Sequence, residues 1–187
     1  MRFAVLGSGS QGNGTLIASA DTYVLVDCGF SLRETEKRLL RLGVCPTQLS
    51  AILVTHEHAD HVHGVGLLSR RYNLPVYLSR GTLRGMRKPV EPAGFVAGGE
   101  QLQIGGLSIG VIAVAHDARE PTQYVFSDGT RRFGLLTDLG SYCATVLDGY
   151  KDLDALMIES NHCRDRLARG HYPTFLKQRV GGELGHL

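Results

Sequence analysis

No apolar run in the sequence approaches the length needed to cross a bilayer, and no charged leader precedes a cleavable hydrophobic stretch. A helical membrane anchor and a secretory leader are therefore not expected, because Met1-Arg2-Phe3-Ala4-Val5-Leu6 enters a strand pattern directly. There is also no Cys-x-x-Cys pair: Cys28, Cys45, Cys143 and Cys163 stand far apart, which fits neither a zinc ribbon nor a disulfide framework. A reducing cytoplasm is the simpler setting. A strong charge bias is missing as well, with 20 Lys and Arg against 18 Asp and Glu and a net charge of +2. Such a balance permits a nucleic-acid partner without arguing for one. Internal repeats, low-complexity tracts and linker-like stretches are absent too.

What remains is a chain of 187 residues, 43% hydrophobic, long enough to bury one core. A single domain over 1–187 is expected. Short β-rich runs open it: Phe3 to Leu6, Thr15 to Ala18 and Tyr23 to Val26, separated by turn residues that include the glycine-rich stretch Gly7 to Gly14. This pattern predicts a meander. Ser31-Leu32-Arg33-Glu34 has the form of a capping box, and leucines at helical spacing follow until Gly43. The apolar strand Ala51 to Val54 leads to a histidine cluster, a helix over Val62 to Tyr72 and a strand Val76 to Leu78. Further strands are expected at Leu102 to Ile104, Leu107 to Ala115, Gln123 to Phe126, Phe133 to Leu136 and Ala155 to Ile158, with Asp128-Gly129 as a hairpin turn.

The chemistry concentrates in Thr55-His56-Glu57-His58-Ala59-Asp60-His61. In an extended loop leaving a strand, His56 and His58 can turn their imidazoles to one metal while Asp60 and His61 face a second; in a helix the first two would point apart. Neutral imidazole with carboxylate suits zinc and other first-row divalent ions, and an open position leaves room for an activated water. A purely structural zinc site would favour a closed, sulfur-rich set, which is not present here. Further ligands are sought among polar residues that close apolar strands. His116 closes Ile112 to Ala115, and Asp138 closes Phe133 to Thr137, where its carboxylate can bridge two ions. His63, His162 and His171 read as structural or surface residues, and Cys28 as a packing residue, since no partner base is evident.

These residues resemble the metallo-β-lactamase-fold superfamily, whose signature His-x-His-x-Asp-His is matched by His56, His58, Asp60 and His61. The resemblance extends over nearly the whole chain. Val26-Asp27-Cys28-Gly29 looks like the first motif, whose aspartate supports the site through a ligand; His116 and Thr137-Asp138-Leu139-Gly140 look like the third and fourth. Gly7 to Asn13, Glu159-Ser160-Asn161-His162 and Tyr172 to Arg179 with Gly185-His186-Leu187 are similar to the YycJ/WalJ-like subgroup, related to RNase Z. The resemblance implies an α/β fold, an αββα sandwich of two face-to-face mixed β-sheets with helices outside, and a DNA exonuclease acting from 5′ ends.

It further implies two divalent metal ions, zinc or manganese, with His56, His58 and His116 on one, Asp60 and His61 on the other, and Asp138 between them. Asp60 would also orient or deprotonate the water, and Glu159 and His186 would assist at the scissile phosphate. DNA is the implied partner, and a membrane is not. Lys177, Arg179 and five other basic residues are available for the nucleic-acid backbone, with none singled out. The family's last metal ligand has no match up to Leu187, and the expectation is that the C-terminal part of the domain is missing. Two rivals stay open: a hydrolase of small esters, thioesters or lactams on the same fold, and an inactive remnant that binds metal and nucleic acid.

Overall fold

The computed structural model describes residues 1–187. Its first sheet is assembled from β1 (Arg2–Gly7), β2 (Gly14–Ser19), β3 (Thr22–Val26), β4 (Ala51–Leu53), β5 (Val76–Leu78) and β6 (Gly94–Phe95), in that order across the sheet. The opening meander is antiparallel, as the turn residues predict, and β3, β4, β5 and β6 then run parallel. The second sheet has the order β11 (Ala155–Ile158), β10 (Arg132–Leu136), β9 (Thr122–Ser127), β8 (Leu107–Ala113), β7 (Gln101–Ile104). It is antiparallel except where β11 lies parallel to β10.

Alternation along the strands decides the layering, because successive side chains leave a strand on opposite faces. Ile17, Val24, Val26, Ala51 and Leu53 meet Ile109, Val111, Tyr124, Phe126 and Leu135 between the two sheets. Their sequence neighbours Leu16, Leu25, Ile52 and Val54 face the other way, and pack under α1 (Leu32–Arg41) and α3 (Val65–Tyr72) through Leu39, Val65 and Leu68. On the far side, α5 (Ala144–Gly149) covers the second sheet through Val146 and Leu136. The result is helix, sheet, sheet, helix. Each fully buried Leu, Ile or Phe here contributes about 1.5–3 kcal/mol.

Four local expectations are corrected. The helix expected over Val62 to Tyr72 is broken: α2 (Ala59–Val62) ends before Gly64, and α3 starts after it. Gly64 is wedged against the preceding loop, its N–H bonded to Cys28 O at 2.7 Å, and a Cβ there would lie 2.2 Å from Phe30 O. That contact is tertiary and leaves no trace in local propensity. The capping box before α1 forms by half, since Ser31 Oγ accepts from Glu34 N at 3.4 Å while Glu34 turns to Arg38 at 2.9 Å. The strand expected to reach Ala115 stops at Ala113. The hairpin expected at Asp128-Gly129 forms between β9 and β10 but is wider, a loop of residues 128–131 in which Asp128 Oδ1 accepts from the backbone of Thr130 and Arg131. Short helices α4 (Arg80–Gly85), α6 (Arg164–Arg169) and α7 (Thr174–Val180) complete the chain. No helix is long and apolar enough to cross a membrane.

Candidate metal centre

The site lies where strands of both sheets end. Strand β4 continues straight into Val54, Thr55 and His56, all buried, so His56 leaves the core already fixed in position. His58 caps α2 with extended backbone (φ −61°, ψ 144°), and Asp60 and His61 sit on the first turns of that helix. His56 and His58 thus precede the helix, which lets both rings turn the same way.

Nε2 of His56 stands 2.9 Å from Nδ1 of His58, which is 3.4 Å from Nε2 of His116. Zinc held by imidazoles at its usual bond length separates neighbouring tetrahedral donors by about 3.3 Å, so the three nitrogens have the spacing of a ligand set. Beside them, His61 Nε2 lies 3.2 Å from Asp138 Oδ2 and 3.7 Å from Asp60 Oδ2. Ligand atoms group within 4.8 Å of one another as His56, His58 and His116; as His56, His61 and Asp138; and as His116, Asp138 and His186. Asp138 takes part in two of these groups, and Asp60 in none. The donor chemistry and spacing fit divalent metal.

Burial favours the neutral imidazole that a metal requires, and it holds His56 well below the usual histidine range, with the neighbouring rings adding to the effect. Burial likewise lowers His116, against the opposing pull of Asp138. For His61, burial is outweighed by Asp27, Asp138 and Asp60, which raise its pKa to about 9. Burial pushes the Asp138 carboxyl up, against the histidines around it.

Two aspartates at the site have left-handed backbone, Asp27 at φ 60° and Asp138 at φ 54°. Aspartate tolerates this conformation better than most residues, and it aims each carboxylate back toward the strand ends. Asp27 accepts from Thr55 N and Thr55 Oγ1 at 2.8 Å each, and its Oδ2 lies 2.8 Å from His61 Nδ1. It touches a candidate ligand and stands behind it.

Glu159 and His186 come from β11's end and the last turn of the chain, yet His186 Nδ1 donates to Glu159 Oε2 at 2.9 Å. The hydrogen bond to Glu159 raises His186, and for Glu159 burial is outweighed by that same bond, which lowers its carboxyl, so each group favours the charged form of the other. Glu159 Oε1 also accepts from Leu139 N at 2.5 Å, which ties the pair to the Asp138 turn. His63 and His171 are exposed, and His162 is half-buried away from these groups. Cys28 is buried, and burial pushes its thiol up to about 11, as suits a packing residue.

Three participants escaped sequence reasoning. Asn13 receives Gly9 N on its Oδ1 at 2.8 Å, which turns its Nδ2 toward Asp60 Oδ2 at 3.1 Å and His61 Nε2 at 3.0 Å. Thr55 Oγ1 links Asp27 to the Nδ1 of His56 at 2.9 Å. Asp117 Oδ1 lies 3.3 Å from His116 Nε2 and 3.6 Å from His58 Nε2. Thr55 was visible only as the residue leading into the cluster and Asn13 only as the end of the glycine-rich run, and Asp117 gave no signal.

Two face-to-face sheets with an imidazole and carboxylate centre at their strand ends define the metallo-β-lactamase fold. Residues 22–181 match the Beta-lactamase superfamily domain, and the chain belongs to that family. Within it, the whole chain is 34% identical to the exodeoxyribonuclease YycJ of Bacillus anthracis, spanning 73% of that protein. It is equally 34% identical over its full length to the exodeoxyribonuclease WalJ of Streptococcus pneumoniae, spanning 72% of it. The crystal structure of the metallo-β-lactamase fold protein YhfI from Bacillus subtilis superposes with a TM-score of 0.69 over 86% of this chain and 72% of that one. At 19% identity, this is a likeness of fold.

Proposed function

We propose that the chain is a metal-dependent phosphodiesterase, a DNA exonuclease acting in the cytoplasm as one domain over residues 1–187. His56, His58 and His116 would hold one divalent ion and Asp60 and His61 a second, with Asp138 shared between them. Zinc and manganese both suit this mixture of nitrogen and oxygen donors. When bound, the two ions would supply an activated water and offset charge developing on the phosphoryl oxygens.

The protein's own groups do the remainder. Asp27 keeps the His61 ring aimed by accepting its Nδ1 proton, a support that also raises ligand basicity. Asn13 holds the Asp60 carboxylate beside His61, where it can orient the attacking water. His186, kept protonated by Glu159, carries a proton for the departing oxygen.

The observation that carries the phosphodiester reading is this last pair, 2.9 Å apart beside Asp138. A thiolate leaves a thioester without a proton, whereas the alkoxide leaving a phosphodiester is a poor leaving group unless one is supplied; esters and lactams share that need, and against them the reading leans on the likeness to the exodeoxyribonucleases. The full-length likeness to two exodeoxyribonucleases supports DNA as the substrate. The test is to incubate metal-loaded protein with 5′-phosphorylated single- and double-stranded DNA, and separately with thioester and lactam substrates, with and without chelator. Chelator-sensitive loss of DNA is expected. Thioester or lactam turnover without DNA degradation would overturn the reading, and metal and DNA binding without any turnover would favour an inactive remnant.

A further inference from the structure

Arg179 occupies the last turn of α7, a helix that buries none of its residues and so is not explained by a core role. It lines a cavity of about 350 Å³ at the metal centre, together with Asp60, Asp117, Asp138, His58 and His186. No other lysine or arginine lines this cavity. Leu176 and Val180, on the same face of α7, line it too, so the helix presents one face to the site.

The Arg179 side chain is 59% exposed, yet its Nε donates to Asp117 Oδ2 at 2.5 Å. That is the one hydrogen bond its guanidinium makes, so both terminal nitrogens remain free. Asp117 in turn reaches His116 and His58 through its other oxygen. The carboxylate therefore stands between the candidate ligands and the guanidinium, and fixes the fork beside them. An ion pair this exposed contributes little to stability. A guanidinium with its outer edge unpaired is, however, the group best shaped to take a phosphate through two parallel N–H bonds.

We infer that Arg179, oriented by Asp117, is the residue that grips a backbone phosphate of the nucleic-acid strand as it enters the centre. This inference rests on the nuclease reading given above. Arg179 is a binding residue and Asp117 a positioning residue, and Arg179 is the one guanidinium in a cavity lined by three carboxylates.

The test is fluorescence anisotropy with a 5′-labelled 12-nucleotide single strand, in chelator so that nothing is cut, across a range of salt. Arg179→Gln is expected to weaken binding about tenfold, and to reduce the slope of log affinity against log salt by about 0.7, the value for one single-strand phosphate contact. Arg179→Lys should keep the slope while binding more weakly, because a point charge cannot make the paired contact. Asp117→Asn should weaken binding less than Arg179→Gln. Lys151→Gln, which removes a charge paired with Asp148 on the far side of the second sheet, should change neither quantity.

Unchanged affinity and slope in Arg179→Gln would overturn the inference while leaving the nuclease reading intact. Loss of bound metal in Arg179→Gln, measured by elemental analysis, would also overturn it, by making the pair a support of the metal centre. A wild-type chain that binds no strand and degrades none would overturn the nuclease reading itself.

Discussion

Asp27 Oδ2 lies 2.8 Å from His61 Nδ1, and both residues are buried. This contact joins the end of β3 to the helix that carries two candidate ligands, and it leaves Nε2 of His61 to face Asp138 and Asp60. A hydrogen-bonding partner of this kind typically carries ten- to hundredfold in metal affinity. Asp27→Asn keeps the shape and removes the charge. Metal retained after dialysis against graded chelator should show affinity reduced by about that factor, and wild-type retention would contradict the role.

Asp27→Ala should be worse for the fold itself. It leaves the buried Thr55 N–H and hydroxyl without their acceptor, at about 1–3 kcal/mol for each group stranded. A lowered thermal midpoint in the metal-free protein, where metal affinity cannot contribute, is the measurement. An unchanged midpoint would mean that water replaces the carboxylate at no cost.

Gly29→Ala tests the clamp that holds the cluster loop. A Cβ at Gly29 would fall 1.7 Å from Asp60 O, in a place where Gly29 N donates to Asn13 O and Asn13 N to Asp60 O. Backbone cannot yield as a side chain can, so one methyl group must displace Asp60. Overpacking of this kind costs about 1–3 kcal/mol. Both a lower melting temperature and weaker metal binding are expected, and a variant that loses neither would show that the loop is free to move.

His186→Ala and Glu159→Gln address proton donation. Positioned acid groups contribute about 10²–10⁴ in rate. Each variant should lose turnover of DNA within that range while keeping most of its bound metal, since neither residue belongs to the ligand set proposed here. The rate loss should shrink on a diester whose leaving group is a nitrophenolate, which departs without a proton. Equal losses on both substrates would contradict an acid role.

Much of this architecture was legible because strands and polar punctuation obey short-range rules. Short β-rich and apolar runs marked the strands holding Leu16/Ile17 and Ile52/Leu53, and a histidine or aspartate after an apolar run marked His56, His116 and Asp138. What could not be read depends on partners far away in the chain. Asn13 lies in a run that reads as turn, and its partner Asp60 is 47 residues on. Asp117 looks like any loop carboxylate until Arg179, 62 residues later, is brought beside it. The break at Gly64 follows from contact with Phe30 rather than from propensity. The helices α4 to α7 are too short to show an apolar period, and α6 and α7 bury nothing that would create one.

One cluster of imidazoles and carboxylates is proposed to hold two ions, and native mass spectrometry of the metal-reconstituted chain tests this most directly. Two ions per chain are predicted for the wild type, with one ion lost in His58→Ala and the other in His61→Ala. A wild-type chain that carries no divalent metal, or one whose metal survives both substitutions, would contradict it.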